Sequence, residues 1–273
     1  MRADGVPARD HHHATEDAPI VLLSYGYSGA EHVQNLLATG TGLACTSSTG
    51  IIPLCQAAAE TWQRVEGHAG EAMSRLAVST LRGLVTAQVT AILAGAGESR
   101  WCELATANPG AAQPFLRAFP EAAFVCVHRN CLDVIRTGVA ASPWGLYGQG
   151  LGSYLLLYPG NSVAILAAYW VNRTEELLNF ESVNPQVTCR VRYEDVTAQP
   201  DEALAGLRSW LRLGNPCRNT LTEDVDYSGP DAEVARSAAS EVPVELIPIP
   251  LHQRINRLHA ELGYPPLSEA TKD

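Results

Sequence analysis

The chain has 273 residues, 46% of them hydrophobic and 18% charged, which excludes a disordered or fibrous protein and fits two small domains or one large α/β domain. A net charge of −10 and a pI near 5.3 exclude a general binder of nucleic acid or anionic membrane. Its 19 basic residues include one lysine, Lys272, so a Schiff-base lysine, a catalytic lysine and the lysine of a Walker phosphate loop are excluded from the fold.

Residues 1–17 are polar, with Pro7 and the histidines His11, His12 and His13, and lack a signal-peptide apolar core; they are expected to form a disordered, solvated tail. Pro19-Ile20-Val21-Leu22-Leu23-Ser24 reads as a short buried strand. Tyr25-Gly26-Tyr27-Ser28-Gly29 then leads into a helical pattern that runs to about Thr39. Residues 51–66 and 71–94 read as helices, the second ended by Gly95 and Gly97. A second strand is expected at Arg100 to Glu103. Ala112 to Ala118 is a helix stopped by Phe119-Pro120. Ala122 to His128 is an apolar strand, and Cys131 to Ala141 is the helix after it.

Residues 142–161 hold five glycines, two prolines and the aromatics Trp144, Tyr147, Tyr154 and Tyr158, the composition of a long loop covering a site. Either these aromatics line an apolar acceptor pocket, or they pin the loop to the core. Val163, Leu166, Trp170 and Leu177 form one helical stripe. Gln186 to Tyr193 alternates as a strand, Asp201 to Leu213 is helical, 214–240 reads as irregular, and a last helix covers about Leu251 to Leu262. Strands alternating with helices predict a single α/β domain over 18–265, with 266–273 as a tail. Its central parallel sheet has about five strands, helices on both faces and a phosphate-type loop after the first strand. No stretch approaches the ~20 apolar residues of a membrane span. The seven cysteines form no CxxC pair and read as reduced thiols of a cytoplasmic protein.

Two segments are candidate anion sites. A strand running through Ser-Tyr-Gly-Tyr-Ser-Gly into a helix presents backbone N–H groups at the positive end of the helix dipole, although a tight turn needs those glycines in any case. In the second, Arg129 leaves the C-terminal end of a strand, where open α/β sheets bind ligands, and Thr137 lies two turns into the following helix. The plainer alternative pairs Arg129 with Asp133 and turns Thr137 back onto its own helix.

In their order and spacing these segments resemble the sulfotransferases that use 3′-phosphoadenosine 5′-phosphosulfate (PAPS), most closely the bacterial small-molecule branch. Arg129 and Thr137 keep the spacing of that family's Arg-Asp-Pro-x-x-x-x-x-Ser segment, with Asn130-Cys131 in place of Asp-Pro. Arg117 to Val125, Arg100-Trp101-Cys102-Glu103, Arg192-Tyr193-Glu194-Asp195-Val196 and Leu258 to Tyr264 resemble its other segments. The resemblance implies PAPS as donor, no metal, a small aromatic or hydroxylated metabolite as acceptor, and no nucleic-acid or membrane partner. It assigns donor binding to Tyr27, Ser28, Gly29, Arg129, Thr137 and Tyr193, with His32 or Glu103 as the base.

The departures fall on the loop. Tyr27 stands at the family's Lys/Arg, Ala30 and Glu31 at its two threonines, and Leu104 where a lysine often follows the second-strand Glu. A Glu31 carboxylate about 4 Å from a phosphate would repel it by about 1 to 4 kcal/mol. An arginine such as Arg100 is the expected substitute for the missing lysine. Two other readings stay open: a repurposed enzyme that uses Glu31 and His32 independently of PAPS, and a non-catalytic binding protein. Glu31 is equally suited to a charge–dipole contact at its helix start. Glu103 is equally suited to an ion pair with an arginine such as Arg129.

Overall fold

The computed structural model describes residues 18–66, 71–106, 111–142, 146, 151–213 and 242–267. In chain order its elements are β1 (Ile20–Leu23), α1 (Ala30–Ala38), β2 (Leu43–Ser47), α2 (Ile51–Glu66), α3 (Glu71–Ala96), β3 (Arg100–Ala105), α4 (Ala112–Ala118), β4 (Ala123–His128), α5 (Cys131–Ala141), α6 (Gly152–Leu157), α7 (Ser162–Val183), β5 (Thr188–Arg192), α8 (Tyr193–Ala198), α9 (Pro200–Leu211) and α10 (Ile249–Leu262). The expected tail over 1–17, Trp144, Tyr147, the expected irregular segment 214–240 and residues 268–273 lie outside the described residues.

The five strands form one parallel sheet in the order β2-β3-β1-β4-β5. Strand alternation sorts β1 between two cores. Val21 and Leu23 face α2, α4, α5 and α7, whereas Ile20 and Leu22 face α1 and α9. All four side chains are fully buried, each contributing about 1.5 to 3 kcal/mol relative to exposure. This is the single α/β domain, covered on both faces, that the sequence predicts.

Those two faces also locate the crevice. α1 follows β1 and packs Ala30, Val33 and Leu37 on one face. α5 follows the neighbouring β4 and packs Val134 and Ile135 on the other. The chain therefore departs in opposite directions from two adjacent strand ends. Open sheets take ligands between such strands, beyond their C-terminal ends.

Three expectations are corrected. The strand β2 was not anticipated: Leu43-Ala44-Cys45-Thr46-Ser47 is an edge strand with only its first two residues buried. Part of 142–161 is helical, since α6 lies within it; Tyr154 there is buried and Tyr158 packs on the core. A stretch of α3, Ser74–Ala96, is long and apolar enough to cross a membrane by length and composition alone. Its apolarity is spread over alanine, valine and leucine, with no long run of large residues. It also packs Ala77, Leu81 and Val85 on the core, while Arg82 donates to the Ala118 carbonyl and pairs with Glu121.

Candidate active site

The loop after β1 is tightened by two residues with positive φ, Tyr27 at 65° and Gly29 at 75°. Ser24 Oγ donates to the Val127 carbonyl at 3.0 Å and lies 2.6 Å from Ser28 Oγ, which fixes the loop to the end of β4. The Gly26 amide donates to the Tyr169 hydroxyl at 2.8 Å, so this loop donor has a protein acceptor. No side chain caps α1 at Gly29; the His32 amide donates to the Gly29 carbonyl at 3.0 Å, which leaves the Ala30 and Glu31 amides before it for another acceptor.

Across the crevice, the end of β4 is held from three directions. The Arg129 amide donates to the Tyr25 hydroxyl at 3.2 Å, and the Arg129 carbonyl accepts from Trp170 Nε1 at 2.8 Å. Burial holds the Tyr25 phenol well above the ordinary tyrosine range, so it stays protonated. The Asn130 amide donates to Glu194 Oε1 at 2.7 Å, and Tyr264 donates to Glu194 Oε2 at 2.8 Å. Asn130 caps α5 by accepting from the Leu132 amide at 2.9 Å, which preserves the helix start with asparagine in place of aspartate.

Arg129 is only 4% exposed. Its Nη1 donates to the Tyr27 carbonyl at 2.8 Å, and its guanidinium lies 4.4 Å from the Tyr193 ring centroid. Its Nε is buried with no hydrogen-bond partner, and the same is true of Thr137 Oγ1. Asp133 pairs with Arg136 and the Glu103 carboxylate faces threonines, so neither proposed carboxylate partner reaches Arg129. Tyr27 lies against both segments: its carbonyl takes Arg129, and its Cδ2 lies 3.2 Å from where a Cβ on Gly138 of α5 would stand. Tyr193 completes the wall. A Cβ on Gly29 would lie 2.3 Å from Tyr193 Cε2, so only glycine fits there.

The candidate bases are distributed differently. His32, half-buried, has its ring 6.0 Å from that of Tyr193 in an edge-on arrangement, and burial lowers its pKa. Glu31, its neighbour, is exposed. Glu103 is buried beneath the start of α2, where Oε2 accepts from Thr46 Oγ1 at 2.5 Å and Oε1 accepts from the Thr49 amide and hydroxyl at 2.8 Å. Arg100 is the clear correction. It opens β3, at the opposite end of a parallel sheet from the loop, and donates there to the Ala18 and Leu211 carbonyls. Six strand residues put it about 17 Å from the crevice edge, so it cannot replace a loop lysine.

Tyr169, Tyr25 and Glu194 shape the site without having been singled out in the sequence. Tyr169 is the nearest to detection, since it adjoins Trp170 on the stripe of α7 and its ring meets that of Tyr154 at 6.0 Å. A groove of about 160 Å³ between α2, α3 and α4, lined by Trp62, Val78, Leu81, Pro114 and Arg117, contains none of the candidate residues.

A family model described as the sulfotransferase family matches residues 19–215. Among solved structures, the sulfotransferase domain from the curacin biosynthetic pathway is similar with a TM-score of 0.53 at 15% identity, over 91% of this chain and 98% of that one. The sulfotransferase domain of the Synechococcus PCC 7002 olefin synthase gives 0.51 at 15% identity, over 96% and 99%. A sulfotransferase from Alicyclobacillus acidocaldarius gives 0.50 at 10% identity, over 91% and 96%. Identities this low establish a shared fold. No curated protein matches the chain in sequence.

Proposed function

The chain belongs to the sulfotransferase family, and from that premise we propose that it transfers a sulfuryl group from PAPS to a hydroxyl of a small metabolite. One observation carries the donor assignment: Arg129 Nε and Thr137 Oγ1, on the turn and helix that follow β4, are buried polar groups with no partner. A buried donor left unbonded costs about 1 to 3 kcal/mol, and more when charged. A phosphate oxygen accepting from both would remove that cost.

In this reading Arg129 and Thr137 hold the 3′-phosphate of the donor, and Tyr193 flanks it. Ser28, Gly29 and the Ala30 and Glu31 amides at the start of α1 receive its 5′ end, with Tyr27 at the rim. The donor supplies the sulfuryl group. His32 then serves as the base: burial keeps its imidazole neutral near pH 7, and it takes the proton from the acceptor hydroxyl. Glu103 is the weaker candidate, because three hydrogen bonds from Thr46 and Thr49 already stabilise its carboxylate. Tyr154, in contact with Tyr169, marks the side from which an apolar acceptor approaches.

Calorimetric titration of the full chain with 3′-phosphoadenosine 5′-phosphate tests the donor. Saturable binding that Arg129→Ala weakens supports it; absence of heat at millimolar nucleotide overturns it. One observation favours the second reading, a reaction independent of PAPS: the Gly26 amide already has Tyr169 as its acceptor. That reading would rest on His32, since Glu31 is exposed.

A further inference from the structure

Strands β2 and β3 run parallel with Cys45 directly opposite Cys102. Residues opposed in this way project from the same face of a sheet. Both belong to the core covered by α1, Cys102 fully buried and Cys45 half-buried. Neighbouring strands lie about 4.8 Å apart, and disulfides span Cα separations of about 4.4 to 6.8 Å. The pair is thus within bridging distance without a change of register. From above, α1 clamps the site: Gln34 Nε2 donates to the Thr46 carbonyl at 3.0 Å and the Cys102 carbonyl at 3.1 Å, and reaches the Cys102 sulfur at 3.9 Å.

We infer that Cys45 and Cys102 are a reversible redox site, closing to an intramolecular disulfide on contact with a hydroperoxide and fastening the edge strand β2 to β3. The thiols divide the chemistry between them. The neighbouring Cys102 thiol holds the Cys45 thiol below its ordinary range, while that pairing and burial push Cys102 well above it. Cys45, the more accessible and more acidic, is the nucleophile.

Its thiolate attacks one peroxide oxygen. An S–O bond forms, the O–O bond breaks, and the departing oxygen leaves as water after taking the thiol proton. The Cys102 sulfur then attacks the sulfenic sulfur; the S–S bond forms, the S–O bond breaks, and a second water carries away the Cys102 proton. The two thiols lose two electrons and the peroxide gains them.

The opposite edge of the sheet supplies the internal control. Cys189 on β5 is also half-buried, but it faces Val125 across the register, and burial pushes its thiol up to about 11. Among the described residues no cysteine stands opposite it in register, and it carries little thiolate to start a bridge.

The test treats the folded full chain with hydrogen peroxide, blocks residual thiols with an alkylating reagent and maps non-reduced peptides by mass spectrometry. A Cys45–Cys102 linked peptide, with loss of two thiols and full recovery in dithiothreitol, is the expected result. In Cys45→Ser the link disappears and Cys102 stays alkylatable after unfolding. In Cys102→Ala, Cys45 accumulates as a sulfenic acid trapped by dimedone. The inference is overturned if native Cys45 passes to sulfinic acid with no link to Cys102. It is equally overturned if Cys45 links to another cysteine, or if the link forms only in urea. None of these outcomes depends on nucleotide binding.

Discussion

The two banks of the crevice are built on opposite terms. On the β4 bank the backbone is fully engaged by Tyr25, Trp170 and Glu194, while the side chains it presents, Arg129 and Thr137, keep buried polar atoms without partners. On the β1 bank the family's cationic side chain is absent, and the loop takes its partners from within the protein: Tyr169 on the Gly26 amide, Tyr193 on Gly29, and Ser24 on Ser28. One bank carries buried polar groups without protein partners. The other has largely closed around itself. Nucleotide affinity should therefore reside in the first and be limited by the second.

The sharpest way to break that contrast is Arg129→Ala. A charge-assisted hydrogen bond contributes about 1.5 to 3 kcal/mol, so calorimetry should show the nucleotide dissociation constant rise by roughly 10- to 150-fold. An unchanged constant would place binding elsewhere. On the other bank, Gly29→Ala forces a Cβ to within 2.3 Å of Tyr193 at a φ of 75°. Backbone strain and overpacking together should cost about 1 to 3 kcal/mol, read as a lower midpoint in denaturant. Adding Tyr193→Ala should recover the steric part, a coupling visible in a double-mutant cycle. Tyr169→Phe comes next. It frees the Gly26 amide at a stability cost of about 0.5 to 1.5 kcal/mol and should leave nucleotide affinity equal or tighter. Weaker binding would mean that Tyr169 serves the ligand and does not compete with it.

Thr137→Val separates the banks without disturbing either. The hydroxyl has no partner in the free protein, so an isosteric methyl should leave the melting temperature unchanged or slightly raised. Nucleotide affinity should fall by roughly 2- to 12-fold, the worth of one hydrogen bond of about 0.5 to 1.5 kcal/mol. A fall in stability would show that Thr137 has a structural bond after all.

What could be read in the sequence follows the same division. The strands β1 and β4 were legible because their apolar runs are fully buried and lead directly into the segments that carry Ser28 and Arg129. The edge strand β2 was not, since a half-exposed five-residue strand carries no periodic signal. Partnerships across long separations were invisible too. Gly26 meets Tyr169 143 residues away, and Glu103 meets Thr46 and Thr49 across 57 and 54. Arg100 failed for a geometric reason: a strand's first residue in a parallel sheet stands at the edge opposite the loop that follows β1, and the strand start expected at Arg100 already places it there.

The smallest expected effect tests whether the banks are electrically joined through Tyr193, which covers Gly29, meets His32 edge-on and carries the Arg129 guanidinium on its ring. Burial alone lowers the His32 pKa below 6.5, because desolvation disfavours the imidazolium. In the unfolded chain this histidine titrates near 6.5, so between that value and the lower folded one the unfolded state binds more protons. The stability that neutral His32 contributes is present above the unfolded pKa and is lost as pH falls through the folded one. An NMR titration of the His32 ring should give a midpoint below 6.5. Tyr193→Ala removes the covering ring and should return that midpoint toward 6.5, even as the site becomes more open to Arg129. A midpoint that falls further in the variant would mean that the arginine, and not burial, sets the protonation of the proposed base.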